Sequence, residues 1–164
     1  MISEAALQEH RIANTLGTKP SRAAQFAPLL CQLIGKLGIT ELLDYGCGRG
    51  ELIPALKAPH ELTLQLYDPA VDEYKGKAVP MQLVACIDVL QHVEDAFRSK
   101  VLDDLERVTG AVLFIVAEGE FGDWLDDLMT RFDVQTVQVI ENGFYVIAYA
   151  AKPLIEVPDG TVEH

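Results

Sequence analysis

The sequence predicts a single three-layer α/β domain whose mostly parallel sheet ends in an antiparallel hairpin. Three observations carry this. From Thr40 onward, short apolar runs alternate with helix-patterned segments. The runs "MQLVACID" (81–88) and "AVLFIVAE" (111–118) are apolar almost throughout, as expected of strands buried on both faces of a parallel sheet. Near the end, "VQTVQVIENGFYVIAYAAK" (134–152) is two apolar runs around Glu141-Asn142-Gly143, a hairpin signal.

The composition suits that class. The chain has 164 residues, 49% hydrophobic and 23% charged, enough for one domain with a real core. No apolar run approaches the ~18 residues that span a bilayer. The opening "MISEAALQEHR" lacks a secretory pattern, so a cytoplasmic protein is expected. A net charge of −12 weighs against non-specific nucleic-acid binding and against anionic membrane surfaces. Cys31, Cys47 and Cys86 form no Cys-x-x-Cys pair, which fits a reducing compartment and no metal site.

Element by element, Ser3 can cap a helix over 4–16 that stops at Gly17, and Ser21 a second over 22–37 that stops at Gly38. Pro28 predicts a kink or restart in the second. Residues 1–38 then form a helical lid or extension, 39–152 the α/β unit and 153–164 a loose tail. Within the α/β unit, "TELLDY" (40–45) reads as a buried strand and "ELIPALK" (51–57) as the helix after it, with Pro54 near its first turn. "ELTLQLYD" (61–68) reads as a strand whose Leu62, Leu64 and Leu66 make one well-buried face. "DAFRSKVLDDLERVTG" (95–110) is a helix with Phe97, Val101, Leu105 and Val108 in one stripe, closed by Gly110. "DWLDDLMTRF" (123–132) is another, with Trp124, Leu128 and Phe132 on one side.

The stretch "LLDYGCGRGEL" (42–52) places Gly46, Gly48 and Gly50 in one turn directly after a strand. Such a cluster predicts left-handed backbone or close approaches that a side chain would block. The turn lies at the carboxyl end of the strands, where α/β sheets bind ligands, and its N–H groups are expected to be free for one. The spacing G-x-G-x-G departs from the dinucleotide fingerprint G-x-G-x-x-G. Asp44, two residues earlier, would repel a pyrophosphate and attract an ammonium or sulfonium group. Asp68, ending the second strand, can accept both hydroxyls of a ribose. A ligand with a ribose and a cationic amino-acid part satisfies all of these.

Taken in order, "LLDYGCGRGEL", "LQLYDPA" and "LVACIDVLQHVED" resemble motifs of the class I S-adenosylmethionine-dependent methyltransferases over roughly residues 38–150. The resemblance implies a Rossmann-like fold with an antiparallel sixth and seventh strand, S-adenosylmethionine as cofactor, and no metal. It implies that Asp44, Tyr45 and the Gly46–Gly48–Gly50 turn hold the methionine end. Asp68 would bind the ribose hydroxyls, Pro69 would lie next to the adenine, and Cys86, Ile87 and Asp88 would flank cofactor and substrate. Two departures stand out. Only the twelve residues 69–80 separate Asp68 from the "MQLVACID" strand, too few for the usual helix and third strand, so that edge is expected to be shortened. The Phe-Asp pair that opens the family's fourth strand is Met81-Gln82, and no acid precedes it to read the adenine amino group.

Methyl transfer requires positioning and, for some acceptors, removal of a proton. Asp88 and His92 are the candidates for that proton, placed on one side of a helical turn if one follows the strand. Asp88 as a helix cap and His92 as a packed or solvated residue are the plainer alternatives. Lys19, Ser21 and Arg22 could meet a carboxylate of cofactor or substrate, or simply start a helix. Phe121 could line a substrate pocket, Trp124 reads as core, and Glu118 and Glu120 either attract a cationic substrate or are solvated charges. The acidic chain favours a small-molecule acceptor over a polyanion. Two other readings compete: a binding module that keeps the fold without catalysis, and a nicotinamide-dependent oxidoreductase. Acceptor and oligomeric state are left open.

Overall fold

A computed structural model describes residues 3–9 and 22–152. Helix α1 covers residues 4–9, with Ser3 Oγ accepting from the Ala6 N–H at 3.2 Å, the cap expected there. The rest of that expected helix, the Ser21 cap and the 153–164 tail lie outside the described residues. Helix α2 spans Ala23–Leu37, and Gly38 ends it in the left-handed region at φ 65°. It runs uninterrupted through Pro28, so the expected restart does not occur. Then follow β1 (Glu41–Tyr45), α3 (Leu52–Ala55), β2 (Thr63–Tyr67), β3 (Met81–Ile87), α4 (Arg98–Val108), β4 (Thr109–Ala117), α5 (Leu125–Arg131), β5 (Phe132–Ile140) and β6 (Gly143–Ala150).

The sheet order is β2-β1-β3-β4-β6-β5. Strands β1 to β4 are parallel, and β6 lies antiparallel between β4 and β5. Alternate residues divide the core in two. Leu43, Tyr45, Val84, Cys86, Leu113 and Ile115 face α4 and α5. On the other face Leu42, Leu83, Ala85, Ile87, Val112 and Phe114 meet α2 and α3. Five residues of α2 are buried there, so this part of the 1–38 segment is a layer of the core.

Several elements differ from expectation for physical reasons. The helix over 95–110 starts as a separate 3₁₀ turn, Asp95–Phe97, and Gly110 does not close it: α4 passes straight into β4 at Thr109. The hairpin turns at Glu141-Asn142, with Asn142 at φ 58°. Gly143 already belongs to β6, where a Cβ would sit 2.1 Å from the Ala117 carbonyl oxygen. Leu62, Leu64 and Leu66 do not make a well-buried face: Leu64 is 39% exposed and the other two are half-buried. Strand β2 is the sheet's edge, with no strand outside it among the described residues.

That edge is shortened as expected, for residues 68–80 contain no helix or strand. Side chains bind this loop instead. Gln65 Nε2 donates to the Lys77 carbonyl at 2.9 Å, and Gln65 Oε1 accepts from the Val79 N–H at 2.9 Å. Arg107 donates to the Ala78 carbonyl between them, also at 2.9 Å, while bonding Asp104 on its own helix. One amide side chain thus makes the donor–acceptor pair that a neighbouring strand would make.

Candidate functional site

The glycine turn is built as its composition suggests. Gly46, Gly48 and Gly50 all have positive φ, at 76°, 55° and 74°. Gly46 is under a second constraint, because a Cβ there would lie 2.3 Å from Val89 Cγ2. Val89 follows β3, so the turn after β1 packs directly against the segment after β3. Four of its N–H groups are not free, contrary to expectation. Gly46 and Cys47 both donate to the Tyr67 carbonyl, at 2.7 and 3.0 Å. Gly50 donates to the Cys47 carbonyl and Gly48 to Asp68 Oδ2, each at 2.8 Å. The loop curls onto the end of β2 and holds itself closed. It is no anion nest.

What the turn leaves unsatisfied is an acceptor. Asp44 is 3% exposed, and its Oδ2 is buried without a hydrogen-bond partner among the described residues. Burial, and then the nearby charge of Asp68, push its carboxyl up from 3.8 to about 7. Asp68 itself is oriented by the backbone. Its Oδ2 accepts from Gly48 and its Oδ1 from the Ala70 N–H at 2.8 Å, which leaves further lone pairs on both oxygens. Pro69 is half-buried beside it. A group bearing an ammonium and vicinal hydroxyls therefore fits: the cation would meet the orphaned Asp44 oxygen and the hydroxyls the spare lone pairs of Asp68.

Other expected site residues lie elsewhere. Tyr45 is buried on the α4 face, its hydroxyl donating to Asp104 Oδ2 at 2.7 Å and its ring 5.0 Å from that of Tyr67. Cys86 is fully buried on that same face, and Ile87 packs on the opposite one. These three side chains are core, so only their backbone faces the sheet's carboxyl end. Burial raises the thiol pKa of both Cys86 and Cys47, with the Asp44 charge adding to it, which disfavours a thiolate at either. Trp124 is core, with the Arg98 guanidinium 3.9 Å above its ring, and Phe121 packs on Phe144. Glu118 and Glu120 are exposed.

Asp88 and His92 do not share a helical turn. Asp88 is left-handed at φ 59°, and only Leu90–His92 form a 3₁₀ turn after it. The Asp88 carboxylate is engaged by Arg22. Guanidinium Nη2 donates at 2.6 Å and Nε at 3.0 Å to Oδ1, and the Arg22 backbone N–H donates at 3.2 Å to Oδ2. Gln91 Nε2 adds a further contact to Oδ1 at 3.2 Å. Burial acts to raise the Asp88 pKa, but these bonds outweigh it and hold the carboxyl below its usual range. Asp88 thus holds the start of α2 through Arg22, which is neither of the roles the sequence suggested. Arg22 does meet a carboxylate, and it is the chain's own. Sequence reasoning missed Gln91 entirely. Its Oε1 is the other buried acceptor without a partner among the described residues.

Solved structures share this architecture. The 1,6-didemethyltoxoflavin-N1-methyltransferase of Burkholderia thailandensis, with its bound substrate and S-adenosylhomocysteine, superimposes with a TM-score of 0.63 at 13% identity, covering 90% of this chain and 87% of that one. The magnesium protoporphyrin IX methyltransferase of Synechocystis, with bound S-adenosylmethionine, gives 0.59 at 16% identity over 78% and 79%. The 16S rRNA methylase ArmA gives 0.56 at 13% identity over 88% and 97%. No family model matches the chain, and no curated protein sequence does. The fold is that of the S-adenosylmethionine-dependent methyltransferases. Among the described residues no helix is long and apolar enough to cross a membrane, and no His, Cys, Asp or Glu cluster is placed to hold a metal.

Proposed function

We propose that this protein is an S-adenosylmethionine-dependent methyltransferase acting on a small-molecule acceptor. The observation that carries the reading is the buried, unpartnered Asp44 oxygen beside a closed glycine turn. A site of that kind recognises a cation and repels a pyrophosphate, which favours S-adenosylmethionine over a nicotinamide dinucleotide. When bound, the cofactor supplies a methyl group already activated by a positive sulfur. Asp44 holds the ammonium, Asp68 the ribose hydroxyls, and Pro69 stands beside the base. Tyr45, Gly46, Gly48 and Gly50 contribute backbone shape, as do Cys86 and Ile87. His92, on the turn after β3, is the candidate to take a proton from the acceptor.

The small-molecule part rests on the net charge of −12, which disfavours a polyanionic surface. Structural neighbours include both small-molecule and rRNA enzymes, so the acceptor class needs its own test. A second reading, a binding module without turnover, is favoured by the commitment of Asp88 to Arg22.

Calorimetric titration with S-adenosylmethionine, S-adenosylhomocysteine and NAD tests the cofactor. Micromolar binding of the first two, lost in Asp68→Ala and Asp44→Asn, is expected. Preference for NAD, or no binding of any, would overturn the reading. Transfer of labelled methyl to a mixed panel of small amines and phenols then separates enzyme from module.

A further inference from the structure

We infer that Gln91 Oε1 reads the methyl acceptor, and that the acceptor presents an N–H or O–H to it. This rests on the methyltransferase reading. It deepens that reading by naming the acceptor's chemistry.

Start from the amide. A primary amide has a donor end and an acceptor end, and neighbours decide which way it points. Gln91 Nε2 donates to Asp88 Oδ1 at 3.2 Å. Turning the amide over would press its oxygen against a carboxylate. Asp88 cannot move away, because Arg22 holds it through the guanidinium and the backbone N–H. The orientation is therefore fixed by charge, and the oxygen is the end left over. That oxygen is buried and has no partner among the described residues. An unmet buried acceptor is costly, so a chain that fixes one in place gains by having a ligand donor meet it.

Position then says which ligand. Gln91 sits in the turn directly after β3, at the carboxyl end of the sheet. Val89, two residues before it, closes on Gly46, so this turn abuts the cofactor turn. The second orphaned acceptor, Asp44 Oδ2, lies on the neighbouring strand β1. Asp44 is charged on deprotonation and suits a cation; Gln91 is neutral and suits a neutral donor. Two acceptors of different kind at one end of the sheet fit two ligands of different kind. An amine, an amide or a hydroxyl carries the donor that Gln91 needs. A thiolate, a carboxylate or a tertiary amine does not.

The test uses fragments matched in shape. With the protein saturated in S-adenosylhomocysteine, ligand-observed NMR compares phenol with anisole and aniline with N,N-dimethylaniline. Wild type should bind the donor of each pair at least 3-fold more tightly. Gln91→Met, of similar length and without the acceptor, should lose that preference while keeping its affinity for S-adenosylhomocysteine, which also reports that it folds. Gln91→Asn, which keeps an amide on a shorter arm, should retain part of it. Equal binding within each pair, or no fragment binding, would overturn the inference and assign the orphan oxygen to water. A tenfold loss of S-adenosylhomocysteine affinity in Gln91→Met would overturn it differently, by giving Gln91 to the cofactor. Failure of wild type to bind S-adenosylhomocysteine would instead remove the methyltransferase reading beneath it.

Discussion

Asp44 at the end of β1 and Asp88 just past β3 sit at the carboxyl ends of paired strands, and their surroundings are opposite. Asp44 is almost fully buried, with an oxygen that nothing meets and a carboxyl pushed up to about 7. Asp88 is held by an arginine, a backbone N–H and an amide, with its carboxyl pushed below the usual range. The difference teaches which acid is structural. A carboxylate whose bonds are complete contributes to the fold. One that the fold leaves incomplete raises the energy of the empty protein and lowers it again when a cation arrives.

The sharpest way to break this contrast is Asp44→Asn. A carboxyl whose pKa is raised on folding contributes stability that is full below about pH 4 and lost as pH rises to about 7. The rise from 3.8 to about 7 corresponds to about 4 kcal/mol. Asp44→Asn should therefore be more stable than wild type at pH 8, by up to about that much, with the gap closing by pH 4. Urea denaturation at the two values checks it, and equal stability at pH 8 would mean that Asp44 is not held as described. Titration of the wild type with S-adenosylmethionine should tighten as pH rises through 7, with a proton released below it.

The next largest effect belongs to Asp88. Arg22→Ala leaves a half-buried carboxylate without its main partner and should cost about 3 kcal/mol. Adding Asp88→Asn in the same chain should recover much of this. A loss under about 0.5 kcal/mol would reduce the pair to an ordinary surface bridge. Between the two acids stands Gly46. Gly46→Ala combines a left-handed backbone with a contact at 2.3 Å to Val89, and should cost about 2 kcal/mol. Val89→Ala should relieve the steric part only, which a double-mutant cycle can read. Smallest is Gln65→Ala, whose side chain bonds only the loop at Lys77 and Val79, expected to cost about 1 kcal/mol and to leave cofactor affinity unchanged.

How far the sequence reached follows the same division between local and distant causes. Gly46, Gly48 and Gly50 are legible because positive φ is a demand on one residue at a time. The β3 and β4 strands are legible because full burial requires a fully apolar run. Leu62, Leu64 and Leu66 mislead because alternation marks a face without saying whether anything lies over it. Gly110 misleads because a helix can enter a strand with no intervening turn. Asp44 and Asp68 could be singled out from their place at the ends of strands. The partner of Asp88 was not, since Arg22 lies 66 residues earlier and reaches it only through the packing of α2. Gln91 carries no signal of its own. A glutamine becomes distinctive only when a neighbour fixes which end it shows.

The Gln65 amide has a consequence for behaviour in concentrated solution. Strand β2 is an edge, and an edge can recruit a strand from another molecule. Here Gln65 of that strand ties a loop beside it through Lys77 and Val79, and Arg107 holds Ala78 between them. A loop held there by two bonds of one amide is expected to stand in the way of such a strand. Its loss would register first as light scattering in a stored sample, well before it registered in a melting curve.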